Sequence, residues 1–379
     1  MFAKSDEPIS GYPVELLDYA LPEELIAQQP LPERDASRLL VVHRDSQKIE
    51  HRWFFELADI LDEHDFLVFN DSRVMRTRFF CTRKGTGGRC EVFLTRILDS
   101  SRAECLTEAR GHIQPGEELV FDEQFSFLVE KPTTDESPGM VRILFKGEPA
   151  PARLVCRLIN SGELPLPPYL KEKLWDEERY QTIFASSLGS SAAPTAALHY
   201  SERILERLKK RGINWAFVTL HVGTATFLPI RREDAGRHKL NPEYYFISPG
   251  EFRKILNAKL QGKRILAVGT TVTRLLEWVM RDWREVCRRE NLSASNLAEI
   301  EDEKLARVFS LSGDTDLYIL PGYKFRFIDR LQTNFHLPRT TLLALVYAFG
   351  GRELIRKAYE EAVSLRYRFY SLGDAMLIL

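Results

Sequence analysis

Three histidines in this 379-residue chain stand where loops leave apolar segments, and imidazole is the side chain best suited to moving protons near neutral pH. His199 closes a run of small residues, AAPTAALHY (192–200), His221 follows the apolar segment INWAFVTL (213–220), and His336 lies in TNFHLP (333–338) ahead of a helical pattern. The turn Gly269-Thr270-Thr271 offers a second chemistry. Its glycine permits a sharp bend, and its threonines present hydroxyls and backbone N–H groups at the positive end of a helix, where an anionic ligand group fits. Each feature also has a plainer reading: a lone histidine fills a core, and one such turn serves structure only. Asn70-Asp71-Ser72-Arg73, after the apolar FLVF, reads as a turn or as part of a site, the turn being the simpler.

The elements that must hold these residues follow from pattern. Ser201 is a good N-cap, Ile204, Leu205 and Leu208 share one face, and Lys209, Lys210 and Arg211 precede Gly212, so a helix is expected between Ser201 and Gly212. INWAFVTL lacks polar alternation, which suits a strand buried on both faces of a parallel sheet, and ligands of such sheets sit outside the carboxyl ends of strands. His221 falls at such an end. Further strands are expected at 39–43, 66–69, 264–268, LYIL (317–320), FRFIDRL (325–331) and the final MLIL, which completes a sheet; helices are expected at 54–61, 152–162, 252–260, 270–279, 339–349 and 353–365.

Between residues 77 and 149 the character changes to short segments rich in Phe, Val, Thr and Cys, separated by KGTGG, QPGEE and KPTTDESPG. This reads as an all-β barrel-like domain inserted into a discontinuous α/β domain of residues 1–76 and 150–379. LPLPPYL (164–170) must be extended, because each proline lacks a donor and restricts its predecessor.

Composition bounds the function. With 53 Lys and Arg against 54 Asp and Glu the net charge is −1, so any nucleic-acid contact must come from a local patch. The best is Arg73, Arg76, Arg78, Arg83, Lys84 and Arg89 with no acid among them, though a solvated strand face is the plainer reading. The five cysteines form no CxxC pair or zinc spacing, so no metal is expected. Nothing resembles a signal peptide or membrane span, and the expectation is a monomer in the cytoplasm. P-loop, GxGxxG and GxSxG motifs are absent.

The same loops carry a family likeness. LPEELIAQQPLPERDASRLL, LVFNDSRV, LPLPPYL, ERYQTIFA, AAPTAALHY, TLHVGTATFLP, GTTVTRLLE, SGDTDLYILPGYKF, TNFHLPRTTLLALVYAFGG and YRFYSLGDAMLI, in this order over nearly the whole chain, resemble the S-adenosylmethionine:tRNA ribosyltransferase-isomerases of queuosine biosynthesis. The resemblance implies an α/β domain interrupted by a β-barrel. It also implies transfer and rearrangement of the ribosyl part of S-adenosylmethionine, a co-substrate, onto the aminomethyl group of a 7-deazaguanine at the tRNA wobble position. Adenine and methionine leave.

That chemistry needs a base to take a proton from C5′ beside the sulfonium, help for departing adenine, and an unprotonated amine. The resemblance therefore implies an acid/base set of His199, His221 and His336; S-adenosylmethionine contacts from Gly269, Thr270, Thr271, Arg274, Thr226 and Asn334, with Arg274 and the turn on the methionine carboxylate; base recognition by Asp314 and Asp316; and tRNA phosphates on Arg73, Arg76, Arg78 and Lys84. Ala197 and Ala225 stand where the family carries glycine, Thr224 where it carries alanine, and Asn241 where it carries histidine. The expected reading is an active enzyme. The alternatives are a paralogue acting on another modified base, or a tRNA-binding protein without the reaction.

Overall fold

The computed structural model describes residues 11–132, 140–147, 161–167, 169–223, 230 and 233–379. They form a mixed α/β structure that divides into two compact units, residues 1–72, 168–187 and 193–379 in the first and residues 73–167 and 188–192 in the second.

The first unit is built on a nine-stranded sheet in the order Ser312–Thr315, Glu243–Phe246, Asn214–Leu220, Asp65–Asn70, Arg264–Val268, Arg330–Asn334, Ala375–Ile378, Arg38–His43, Lys48–Trp53. The four strands from Asn214–Leu220 to Arg330–Asn334 run parallel. Their carboxyl ends therefore share one edge, and His221, Asp71, Gly269 and Phe335 leave from it. Asp65–Asn70 is buried along its whole length, as a central strand covered on both faces must be.

Helices cover the sheet, and their starts are chemically specified. The Ser201 hydroxyl accepts from the Ile204 N–H at the head of Glu202–Lys210, Ser248 from Glu251 at the head of Pro249–Leu260, and Thr340 from Leu343 at the head of Thr341–Gly350. One core cluster joins Phe54, Leu67, Phe69, Tyr200, Ile204, Leu266, Val268 and Leu377. The helix Glu202–Lys210 thereby fixes the small-residue segment ahead of it against the sheet. In the second unit six strands pair into a closed barrel, with Phe79, Val92, Leu94, Phe127 and Ile143 inside.

Several expected elements differ. The segments 317–320 and 325–329 are not strands; the strands lie beside them at Ser312–Thr315 and Arg330–Asn334. The physical reason is Glu277. Its buried carboxylate accepts the backbone N–H groups of Arg326 (2.8 Å), Phe327 (3.0 Å) and Ile328 (3.0 Å), which gives this apolar run hydrogen bonds without a ladder. The final strand, expected to complete a sheet, is present at Ala375–Ile378 and lies inside it, antiparallel to Arg330–Asn334 and parallel to Arg38–His43. The expected helix at 152–162 falls almost entirely outside the described residues.

Glu277→Ala strands those three N–H groups in an apolar setting. The expected loss is at least about 2 kcal/mol of unfolding free energy, measured by urea titration, with Glu277→Gln intermediate.

Candidate active site

The parallel edge opens into a cleft lined by Ala193–Ala196, Val222, Gly269–Thr271, Thr333, Asn334, His336, Leu342, Tyr370 and Ser371, enclosing about 470 Å³ with its solvent-open part included. Five residues singled out from the sequence meet here: Gly269, Thr270, Thr271, Asn334 and His336.

Gly269 ends the strand Arg264–Val268 with φ +96°, a conformation costly for any other residue, and an added Cβ would lie 3.3 Å from the Ala196 methyl. The helix Thr270–Val279 that follows has no side-chain cap. Its first N–H groups lack intrahelical partners, so Thr270 and Thr271 present donors and a positive dipole end to the cleft.

Asn334 ends the neighbouring strand. Its Nδ2 donates to the carbonyls of Tyr370 and Ser371, both at 3.1 Å, and its Oδ1 accepts from His199 Nε2 at 3.0 Å. With Nε2 carrying the proton, His199 Nδ1 is left to accept from the Ser37 hydroxyl at 2.8 Å. Both ring nitrogens are thus held within the protein, the ring stacks on Phe54, and burial pushes the imidazole down to about 4. His336 reaches the cleft itself. Its Nε2 meets Thr333 Oγ1 at 2.8 Å, Tyr359 Oη accepts from its backbone N–H, and burial pushes the ring down to about 3.

His221 differs from both. It is half-buried, its backbone N–H donates to the Tyr244 carbonyl, and its ring stacks on Tyr244. Its Nδ1 is buried with no hydrogen-bond partner among the described residues. Burial lowers its pKa, and the carboxylate of Asp71 works in the opposite direction. Asp71 is itself held by Thr219 Oγ1 (2.6 Å), Ser186 and Ser187, so the polar cluster after the second parallel strand is part of this edge.

Arg274, expected on a ligand carboxylate, is buried in an ion pair with Glu243 at 2.5 Å, and its Nε donates to the Leu317 carbonyl. Glu243 also accepts the Gly223 N–H at 2.8 Å. The pair therefore ties the Thr270–Val279 helix to the loop that carries His221. Asp314 and Asp316 are exposed around the edge strand Ser312–Thr315 and do not line the cleft. Thr226 lies outside the described residues, as do Thr224 and Ala225. Arg73, Arg76, Arg78 and Lys84 belong to the second unit. There Arg78 forms a two-pronged pair with Glu91 (2.6 and 2.8 Å) and Lys84 pairs with Glu118 (3.0 Å), cross-strand partners invisible in the local run of basic residues.

Of the four departures from the family pattern, the two among the described residues do not line the cleft. Ala197 is fully buried in the core cluster and Asn241 is exposed. Residues missed from the sequence are Ser37, Tyr370 and Ser371; the RDASR and YSLGD segments held the signal, but no chemistry marked them singly.

A family model described as queuosine biosynthesis protein matches residues 14–378. The chain belongs to that family. It is 44% identical over 363 residues to an S-adenosylmethionine:tRNA ribosyltransferase-isomerase of Pelotomaculum thermopropionicum, covering 96% of this chain and 98% of the relative. It is 42% identical over 366 residues to one of Staphylococcus haemolyticus, covering 97% and 99%. The crystal structure of an S-adenosylmethionine tRNA ribosyltransferase from Thermotoga maritima is similar with a TM-score of 0.50 and 34% identity, over 96% of this chain and 100% of that one. Five of the quoted queuosine-family motifs, AAPTAALHY, TLHVGTATFLP, GTTVTRLLE, TNFHLPRTTLLALVYAFGG and YRFYSLGDAMLI, supply the lining of the cleft.

The two buried histidines make stability pH-dependent. Above pH 6.5 neither the folded nor the unfolded chain protonates them; between 6.5 and about 4 the unfolded chain binds the proton while native His199 does not, so stability falls as pH falls. Each histidine contributes at most about 1.4 kcal/mol per pH unit in its window. His199→Gln should flatten the decline of melting temperature between pH 6.5 and 4, whatever its effect at pH 8.

Proposed function

We propose that the chain is an S-adenosylmethionine:tRNA ribosyltransferase-isomerase, moving the ribosyl moiety of S-adenosylmethionine onto 7-aminomethyl-7-deazaguanine at the tRNA wobble position and giving epoxyqueuosine-tRNA with release of adenine and methionine. The observation that carries this reading is full-length family membership, supported by the arrangement of the shared motifs around one cleft. We take the six-stranded unit as a domain inserted into the α/β domain, and the enzyme to work as a cytoplasmic monomer with S-adenosylmethionine as its co-substrate.

Within this reading the three histidines separate. A base works best with a pKa near the operating pH and a free nitrogen. His199 and His336 are pushed far below neutrality and each holds an Nε2 bond inside the protein. His221 stands next to the cleft-lining Val222; its Nδ1 has no hydrogen-bond partner among the described residues, and burial lowers its pKa while the Asp71 carboxylate opposes that shift. His221 is therefore assigned the proton at C5′. His199 serves to orient Asn334, and His336 lines the wall beside the substrate. The N–H groups of Thr270 and Thr271 suit an anionic group, Asn334 and Thr226 complete the S-adenosylmethionine contacts, and Arg274 acts through Glu243 on the His221 loop. Asp314 and Asp316 accept from the guanine-like edge. Arg73 and Arg76 meet anticodon-stem phosphates, while Arg78 and Lys84 do so by giving up Glu91 and Glu118.

A single-turnover assay with S-adenosylmethionine and tRNA bearing the aminomethyl-deazaguanine, following adenine release and nucleoside mass together, tests the reading. Epoxyqueuosine mass gain with adenine is expected; tRNA binding without adenine release would support the non-catalytic alternative. His221→Ala should lower turnover by at least about a hundredfold while S-adenosylmethionine binding stays within about tenfold. Ordinary turnover by that variant removes His221 from the chemistry.

A further inference from the structure

Beside the cleft, behind Ser371 and His199, lies a second cavity lined among others by Arg34, Ser37, Arg179, His199 and Ser371. Several half-buried or buried arginines of the first unit rest on carboxylates, Arg38 on Asp374, Arg264 and Arg330 on Asp65, and Arg274 on Glu243, whereas Arg44 and Arg368 donate to backbone carbonyls. Arg34 and Arg179 have none within ion-pair distance among the described residues. Arg34 donates only to the carbonyls of Leu198 and Glu178, both at 3.3 Å, and Arg179 to the carbonyl of Pro32 at 2.5 Å. Arg179 Nε is buried without a partner among the described residues. Burial, and then the neighbouring Arg179, push the Arg34 guanidinium down to about 10 while the carboxylates of Asp176 and Glu178 oppose the shift; burial also lowers Arg179, again against Asp176. Arg34 and Arg368 both act to lower the His199 pKa, and the Asp374 carboxylate opposes them. Glu33, exposed at the rim, is the carboxylate-bearing residue of the lining.

An indole stands next to these cations. Trp175 is 59% exposed, and the Arg179 guanidinium lies 5.7 Å from its ring centroid. Its placement is built rather than incidental. Gln29 accepts the backbone N–H of Trp175 at 3.2 Å and donates to the Lys173 carbonyl at 3.0 Å, while Gln28 accepts the backbone N–H of Lys171 at 2.9 Å and donates to the Tyr169 carbonyl at 3.1 Å. Two consecutive glutamines thus clamp the segment that presents Trp175 and leads to Arg179.

Guanidinium groups without an ion-pair partner bind anionic oxygens through fixed forks of donors, and an exposed aromatic face stacks on any base. We propose that the Arg34–Arg179 cavity with Trp175 is a nucleotide subsite for single-stranded RNA, the two arginines taking one backbone phosphate and the indole stacking on an adjoining base. It rests on the reading that tRNA is the substrate, and adds to that reading a contact on the α/β unit, apart from Arg73–Lys84.

The test uses the full chain and an anticodon stem-loop RNA, with affinity measured at several salt concentrations and S-adenosylmethionine affinity measured in parallel. Arg179→Gln should weaken RNA binding about ten- to a hundredfold at low salt and make the salt dependence shallower by about one ion. Trp175→Ala, at a position exposed enough to leave the fold intact, should weaken it at least about fivefold with the salt dependence unchanged. Arg179→Lys, which keeps the charge, should recover part of the affinity, and S-adenosylmethionine binding should hold within about twofold throughout. Loss of S-adenosylmethionine binding with RNA affinity intact overturns the inference, since the cavity then takes a carboxylate. Unchanged binding of both ligands also overturns it. Failure of the unaltered protein to bind the RNA defeats the tRNA reading itself, whereas RNA bound equally by protein and variants defeats only this subsite.

Discussion

The carboxamide of Asn334 makes three hydrogen bonds at the carboxyl end of its strand, and the back of the cleft is arranged around them. Two go to the carbonyls of Tyr370 and Ser371, and Tyr370 is held at φ +75°, a conformation that costs on the order of 1–3 kcal/mol for a bulky residue. The third fixes His199, whose other nitrogen fixes Ser37, whose carbonyl in turn accepts the Phe54 N–H. A strand end, a small-residue turn, and segments near residues 37 and 370 are registered against one another through one amide. In a buried setting such a chain is worth having only when complete, because any member left unpaired carries its full desolvation penalty.

Carboxylates do the same work elsewhere in the first unit. Asp35 holds the Ser201 hydroxyl and Arg203, Asp374 holds the backbone and guanidinium of Arg38 together with the Arg368 N–H, and Glu277 holds three N–H groups of one turn. Each joins segments distant in sequence, so the site is rigid where its walls meet. The same inventory separates the structural arginines, matched by an acid, from the few that are not.

Much of this was legible in the residues. The strand Asn214–Leu220 and the helix after Ser201 follow from apolar pattern and capping chemistry, and the Gly269 turn from the need for positive φ. Loops at strand ends around His221, Thr270 and His336 each supply residues to the cleft, though from the first it is Val222 and not His221 that lines it. What stayed hidden depended on partners far along the chain. Arg274 looked free until Glu243 was seen beside it, and Arg78 and Lys84 looked like a basic patch until the neighbouring strands supplied Glu91 and Glu118. The apolar segment at 325–328 mimicked a strand because sequence cannot show that a carboxylate 49 residues away takes the place of a ladder. His199 and His221 gave the same local signal, a histidine after small or apolar residues; only burial and bonding distinguish a positioned ring from an available one.

The sheet also sets an order of events. Leu39 pairs with Ala375 and Asn334 with the same residue from the other side, so Ala375–Ile378 bridges two parts of the chain separated by roughly three hundred residues. Pairings of such long range form slowly, because the loop between them must close before any contact repays it. Asp374, Tyr370 and Ser371 sit just ahead of that strand, and the contacts that shape the cleft depend on it. Local helices and hairpins can therefore be native while the cleft is still unformed, and recovery of ligand binding during refolding reports completion of the sheet's middle, not the appearance of secondary structure.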